Sequence, residues 1–206
     1  MFSAFVALLL AMRATELLIA RRNGRWAREQ GGVESGARHY PIMVGMHCLF
    51  YVSLVAEHHF NPMGWNALWP LWLGILALVE ALRVWLILSL GRFWNTRIIV
   101  IPGGRRVAKG PYRFVRHPNY VVVTLEILLI PVICGAYLTA LAFSIANALV
   151  LRTRIREEER ALRQLAGPDT NFLPRFVPRI RIHPAASKVR WAKEDASESQ
   201  PPGPLG

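Results

Sequence analysis

Four long apolar stretches govern what this chain can become. They run from about Phe2 to Ala20, Pro41 to Phe60, Trp65 to Leu90 and Tyr120 to Leu151. Crossing the hydrocarbon core of a bilayer takes roughly 20 apolar residues of helix, and the first three stretches are close to that length. The fourth, at 32 residues, exceeds one span and falls short of two comfortable ones. Its middle reads Pro131-Val132-Ile133-Cys134-Gly135, a place for the chain to turn.

Charge decides between one crossing and two. Of the 25 Lys and Arg residues, 23 fall in three polar regions: Arg21 to Arg38, Arg92 to Arg116, and the segment after Leu151. The loop at Asn61-Pro62-Met63-Gly64 and the turn at Pro131 to Gly135 have none. Under the positive-inside rule the three basic regions share the cytosolic side. A single crossing from Tyr120 to Leu151 would send the last of them to the wrong face, so that stretch is expected to be a helical hairpin of two short or tilted arms. The expected fold is all-α: a polytopic membrane protein of about five transmembrane helices in a bacterial inner membrane. Its N-terminus would lie outside and its C-terminus in the cytosol.

A formal charge of +12 would suit a nucleic-acid partner only on a soluble scaffold, and 53% hydrophobic residues in long runs exclude that class. The partner this leaves is the bilayer, with no obligate protein partner implied; a lipidic small molecule is a further partner, implied by the family resemblance that the motifs carry. The first twenty residues have no basic leader or small-residue cleavage site and contain Arg13 and Glu16, so they read as a retained span. Cys48 and Cys134 each lie alone in an apolar run and read as small core residues. The chain thus divides into a membrane domain at 1–183, with N-terminal spans at 1–90 and a catalytic part at 91–183, and a proline-rich tail at 184–206 expected to be disordered.

Within the spans, Arg13 and Glu16 lie one helical turn apart, as do Glu80 and Arg83, which predicts two intrahelical ion pairs. Glu126 has no close partner in sequence, and an ionisable group at that depth is a candidate to touch ligand. His47, His58 and His59 lack metal-ligand spacing, because adjacent residues face different sides of a helix. Ile101-Pro102-Gly103-Gly104 lacks the spacing of a nucleotide loop and reads as a turn.

Two further segments belong to the same edge. One is Gly110-Pro111-Tyr112-Arg113-Phe114-Val115-Arg116-His117-Pro118-Asn119-Tyr120, polar and basic, with a proline suited to a first helical turn. The other is a highly charged helix, Arg152 to Gly167, holding Arg154, Glu157, Glu158 and Glu159 over a thin stripe of Ile155, Leu162 and Leu165. The hairpin returns the chain to the side it left, so the two can face one another. Donors beside a helix N-terminus suit a carboxylate or phosphate, and carboxylates suit an ammonium group or ribose hydroxyls. S-adenosylmethionine offers all of these groups, with a sulfonium that can lie against aromatic faces. Contacts to lipid headgroups by a solvated basic edge are the alternative.

These residues resemble the isoprenylcysteine carboxyl methyltransferase family of integral membrane methyltransferases. Its hallmark G-x-Y-x-x-x-R-H-P-x-Y is matched by Gly110, Tyr112, Arg116, His117, Pro118 and Tyr120. Its second motif, R-x-x-x-E-E-x-x-L-x-x-x-x-G, is matched by Arg154, Glu158, Glu159, Leu162 and Gly167. A narrower likeness, carried by Glu16-Leu17, Arg21-Arg22-Asn23, Gly31 to Gly36, His39-Tyr40-Pro41 and Asn95 to Val100, is to a bacterial branch that O-methylates alkylpyrones or alkylresorcinols made by type III polyketide synthases. The resemblance implies S-adenosylmethionine bound by His117, Pro118, Tyr120, Glu158 and Glu159 with Arg154, and a catalytic pocket shaped by Arg116 and Tyr112. A phenol or enol acceptor must also lose a proton. Glu34, His39 or Glu126 is placed to accept it, or an arginine such as Arg97 to stabilise the oxyanion. The rival readings are a sterol-type membrane reductase using NADPH, whose 2′-phosphate Glu158 and Glu159 would repel, and a non-enzymatic protein binding anionic lipids.

Overall fold

The computed structural model describes residues 1–60, 64–104 and 107–165. The expected tail at 184–206 and the helix-closing Gly167 lie outside these residues. Five helices make up most of the described residues: α1 at Phe2–Glu29, α2 at Tyr40–Phe60, α3 at Trp69–Leu90, α4 at Pro118–Ile133 and α5 at Tyr137–Leu165. Four of them, α1, α2, α3 and α5, are long and apolar enough to cross a membrane. The molecule is an all-α polytopic membrane protein.

Helix α1 corrects one expectation. The cluster Arg21, Arg22, Arg25 and Arg28 does not form a loop but extends the first helix by two turns and more. Arg, Ala and Glu are strong helix formers, and nothing before Gly31 breaks the run. The break then comes sharply. Gly32 donates its N–H to the Ala27 carbonyl at 2.8 Å, and a Cβ there would stand 2.5 Å from that same oxygen, so only glycine fits.

The hairpin is present. Helix α4 has 16 residues, about 24 Å of helix, and is the shorter arm. It compensates by burial: Val122, Ile127, Leu129, Ile130 and Ile133 are all in the core, as expected of a helix apolar all round. The turn follows with Gly135 at φ +72°, and a Cβ at Gly135 would meet the Gly64 carbonyl at 2.1 Å. Glu57 accepts hydrogen bonds from Leu138 N, Thr139 N and Thr139 Oγ1 at 2.9, 2.6 and 2.6 Å, which satisfies the orphan donors at the start of α5. His58 bonds through Nδ1 to the Cys134 carbonyl at 3.0 Å and stacks on Phe2, so it fixes this same turn. His47 bonds the Met43 carbonyl one turn back.

At the opposite end of the bundle the basic segments gather. Strand β1 (Val33–Ser35) pairs antiparallel with β2 (Ile98–Val100), with Val33 opposite Val100 and Ser35 opposite Ile98. The ribbon lies across the charged half of α5, where Ile98 and Val100 pack on Ala161, Leu162 and Leu165. The thin apolar stripe of that helix is its contact with β2. Gly103 lies in the expected turn at φ +70° and donates to the Leu165 carbonyl at 2.9 Å, covering the end of α5.

Inside the apolar layer the charged residues join across helices. Arg13 holds Glu16 at 3.0 Å and also reaches Glu80 at 2.9 Å and Glu126 at 3.3 Å. Arg83 meets Glu16 at 3.1 Å and forks onto both oxygens of Glu126. Of the two pairs expected within single helices only Arg13–Glu16 forms; Glu80 pairs with Arg13 and Arg83 with Glu16 and Glu126, so that three helices, α1, α3 and α4, are riveted by five side chains. A charge at membrane depth is tolerated where it faces the bundle interior and is paired.

Candidate functional site

The site is built on a short 3-10 turn, Gly110–Arg113, pressed against the end of α3. Gly110 has φ +51° and a Cβ there would lie 2.2 Å from Ser89 Oγ, so glycine permits both the conformation and the approach. The turn buries Tyr112 and delivers Arg116 and His117 to the start of α4. Pro118 occupies the first turn of that helix, where its fixed φ suits the geometry and its missing N–H costs nothing.

His117 is 3% exposed. Its ring stacks on Tyr120 with centroids 5.4 Å apart. Nε2 donates to Glu159 Oε1 at 3.4 Å, and Nδ1 stands 3.7 Å from Glu158 Oε1. Arg116 also reaches Glu159, at 3.4 Å. The Tyr120 hydroxyl donates to Glu158 and accepts from Arg154 Nε at 3.0 Å. Arg154 and Glu158 are one helical turn apart on α5 and share a face. The remaining Arg154 donors reach the Thr96 carbonyl and Met43 Sδ, so this one guanidinium joins α5 to α4, α2 and the segment before β2.

That segment is held from α1. Asn23, buried, donates to the carbonyls of Gly91 at 3.1 Å and Trp94 at 2.8 Å. Asn95 donates to the Ala20 carbonyl at 3.3 Å and accepts from Arg97 N at 2.9 Å. Arg97 lies over the Tyr40 ring at 4.1 Å and pairs with Glu34, which also takes Arg28 at 2.8 Å. Burial works to raise the Glu34 carboxyl, but hydrogen bonds and charge from Arg28 and Arg97 outweigh it and hold the group below its ordinary 4.5.

Between these parts lies a cavity of about 200 Å³. Trp94, Asn95, Arg97, Ile98 and Val100 form one side, and Tyr112, Arg116, His117, Asn119, Tyr120, Arg154 and Glu158 the other. Seven of the ten residues singled out from sequence thus line one space. Pro118 and Glu159 stand just behind it, the first as the start of α4 and the second as the buried partner of Arg116 and His117. Glu126 lies elsewhere. It has the partners its sequence neighbourhood lacks, Arg83 and Arg13, and sits in the ion-pair lattice at membrane depth. His39 is exposed at the end of a 3-10 helix.

Sequence reasoning passed over Trp94 and Asn119 as site residues and gave Asn23 no role. Trp94 Nε1 and Asn119 Oδ1 are buried without a hydrogen-bond partner, and both residues line the cavity. A ligand is one way in which such atoms find partners, although Trp72 Nε1, Ser144 Oγ and Asn147 Oδ1 are buried without one away from the cavity. The signal for Asn23 was available, since an Asn on the inward face of a helix needs partners for its amide.

An apolar helix bundle with a part-charged, aromatic cavity at its polar end describes a membrane protein with a candidate small-molecule site. A profile of the Isoprenylcysteine carboxyl methyltransferase (ICMT) family matches residues 72–164. The chain is 46% identical over 170 residues to the uncharacterized protein YpbQ of Bacillus subtilis, an alignment covering 80% of this chain and 98% of that one. It is 28% identical over 160 residues to an uncharacterized protein of Haemophilus influenzae, covering 77% and 93%. The part of the chain from within α3 to the end of α5 thus matches the isoprenylcysteine carboxyl methyltransferase family, and that match supports a methyltransferase of the membrane. The matched region begins within α3, so Asn23, Glu34 and Tyr40 contribute to the site from outside it.

Proposed function

We propose that this protein is an S-adenosylmethionine-dependent methyltransferase that acts on an oxygen of a lipidic acceptor, alkylpyrone- or alkylresorcinol-like or isoprenylcysteine carboxylate-like. The observation that carries the reading is convergence on one cavity. Arg116, His117 and Tyr120 enter from the start of α4, and Arg154 and Glu158, more than thirty residues later in the chain, from α5. The donor set fits the cofactor. Glu158 offers a carboxylate to ribose hydroxyls or an ammonium group, Arg116 and the amides at the start of α4 favour a carboxylate, and the His117–Tyr120 stack offers an aromatic face. The orphaned Trp94 Nε1 and Asn119 Oδ1 add a donor and an acceptor.

When bound, S-adenosylmethionine supplies an electrophilic methyl group on a positively charged sulfur. The protein's contribution is position and dryness. Glu159 fixes His117 and Arg116 from behind, Arg154 fixes Tyr120 and Glu158, and Ile98, Val100 and Leu162 keep the space apolar on one side. Holding two reacting atoms in line in such a pocket contributes several kcal/mol, on the order of 7–11 in the best cases. Arg97, on the wall and anchored by Glu34, stabilises the oxyanion of a phenol, enol or carboxylate. By the distribution of basic residues the site faces the cytosol of an inner membrane, with the N-terminus outside.

The test is incubation of the purified protein with methyl-labelled S-adenosylmethionine and a bacterial lipid extract. Label entering a lipid at an O-methyl group is the expected result. Transfer to no lipid, from a preparation that also fails to bind S-adenosylhomocysteine by calorimetry, would sink the proposal.

A further inference from the structure

The cations at the polar end of the bundle fall into two sets. Arg28, Arg97, Arg116 and Arg154 are each bonded within the protein, to Glu34, Glu159, Tyr120 or the Thr96 carbonyl. Arg21, Arg22, Arg25, Arg92, Lys109 and Arg113 are exposed, and none of them has a carboxylate partner among the described residues. Sequence explains the difference. From Val84 to Leu125 there is no Asp or Glu, and Glu29 is the one carboxylate of the α1 extension that begins at Arg21. Aromatic rings stand where carboxylates are missing. Arg92 lies over Trp26 at 5.9 Å and Arg113 over Phe114 at 4.7 Å, and Trp26 meets Phe93 edge-on at 5.3 Å. That edge contact joins the α1 extension to the end of α3, so the arginines of α1 and Arg92 belong to one surface. The turn at Gly110–Arg113 presses on the same end of α3 and adds Lys109 and Arg113. Phe93 and Phe114, between these cations, are 53% and 47% exposed.

We propose that this surface binds the phosphate headgroups of anionic phospholipids in the leaflet around it. The inference does not rest on the methyltransferase reading. The spanning length of α3 runs to Phe93, which puts Arg92 and Phe93 at headgroup level, where aromatic side chains collect and basic residues meet the phosphates of the cytosolic leaflet. Each cation near an anionic leaflet strengthens binding to it about fivefold. RNA or an acidic peptide would also meet the charge, but would leave the exposed rings of Phe93 and Phe114 in water, whereas the interfacial layer of a bilayer takes both. The charged half of α5 is the contrast within the molecule. Arg152, Arg156 and Arg160 are exposed there too, but Glu157, Glu158 and Glu159 lie among them and lower the attraction of that helix for an anionic surface.

The experiment titrates the purified full chain in neutral detergent with phosphatidylglycerol or with phosphatidylcholine of the same acyl chains, and bound lipid is measured by native mass spectrometry. Phosphatidylglycerol should bind about tenfold more tightly. The combined substitutions Arg22→Gln, Arg92→Gln and Arg113→Gln, one arginine from each segment of the surface, should cut that preference to about twofold or less. Arg152→Gln, Arg156→Gln and Arg160→Gln together remove the same charge from α5 and should leave the preference within about twofold of the wild type. Arg113→Gln alone, whose side chain lies over an exposed ring, should lower it about two- to fivefold and serves where the first combination does not fold. Glycerol 1-phosphate at the same concentration should not displace phosphatidylglycerol, because it brings no chain for the aromatic rings. Equal binding of the two lipids, a preference that survives the substitutions at 22, 92 and 113, a preference lost equally with those on α5, or displacement by glycerol 1-phosphate would each overturn the proposal.

Discussion

The molecule contains two clusters of arginine and glutamate, and they are built on opposite principles. In the apolar layer, Arg13 and Arg83 alternate with Glu16, Glu80 and Glu126, each carboxylate lying within 3.3 Å of a guanidinium. The five side chains are only 6–21% exposed. At the polar end, Arg116, Arg154, Glu158 and Glu159 are also paired, yet Arg116, Arg154 and Glu158 line open space beside two buried polar atoms without partners. The first cluster is closed on itself and joins three helices; the second borders a cavity, and in the proposed function a ligand completes it. Ionisable residues at membrane depth are read by default as functional, but here Glu126 has its charge met by Arg13 and Arg83, and the proposed site lies at the other cluster.

The largest expected effect breaks the closed cluster. Arg83→Leu leaves Glu16 and Glu126 short of a counter-ion inside the bundle, and removing one partner of a buried network costs about 3–5 kcal/mol. Thermal unfolding in detergent, followed by circular dichroism, should show a midpoint about 6 °C or more below the wild type. The affinity of the folded fraction for S-adenosylhomocysteine should stay within about twofold. A stable Arg83→Leu that no longer binds cofactor would reverse the assignment of the two clusters.

The complementary change is Glu158→Gln. Its carboxylate lines the cavity and is 28% exposed, so the substitution should leave the midpoint almost unmoved, within about 0.5 kcal/mol. It should lower affinity for S-adenosylhomocysteine about 10–100-fold, the loss expected of a charge-assisted hydrogen bond or two. Glu159→Gln sharpens the contrast, because that buried residue touches Arg116 and His117 rather than the cavity. It should lower both stability and affinity, each by about 1–2 kcal/mol. Equal behaviour of the two variants in calorimetry and unfolding would erase the distinction between a residue that holds ligand and one that holds the holder.

Asn23→Ala follows in size. It leaves the Gly91 and Trp94 carbonyls without their donor in a buried setting, at a cost of about 1–3 kcal/mol, and lets the segment carrying Trp94 and Asn95 drift from the cavity wall. Cofactor affinity should fall about tenfold. Ser53→Ala, which removes a bond to Thr139 near the far turn, should lower stability alone. If the two variants change affinity alike, Asn23 is an ordinary packing residue.

Much of this was legible in the chain. Hydropathy and loop charge together imposed the hairpin, because a single crossing would have stranded eleven basic residues. The hairpin in turn brought Arg116 to Tyr120 opposite Arg154 to Glu159. What stayed hidden depended on contacts between distant segments. Nothing local to Glu126 reveals that Arg13 and Arg83 will reach it from two other helices. The pairing of Val33 to Ser35 with Ile98 to Val100 joins short segments too brief to show a two-residue period. The different duties of Glu158 and Glu159 turn on which neighbour faces the cavity, which is a matter of how α5 is rotated against α4. Trp94 is a single aromatic in a loop, and its unpartnered indole N–H exists only once the fold has surrounded it.

The smallest effect concerns the arm that joins β1 to the cavity wall. Glu34 is paired with Arg28 and Arg97, and its carboxyl is held below 4.5. A group depressed on folding binds fewer protons in the native state, so its contribution is complete above the ordinary carboxyl value and disappears as pH falls through the lowered one. Arg28 and Arg97 are 47% and 39% exposed, so solvent screens the pairs and the contribution should be within about 1 kcal/mol. The wild type should therefore unfold slightly above Glu34→Gln at pH 7, and the two midpoints should merge near pH 3. Comparing the difference rather than either midpoint cancels every other carboxylate in the protein. A gap that widens in acid would mean that Glu34 is stabilised as the neutral acid, and Arg97 would then be free of it and available to the acceptor's oxygen alone.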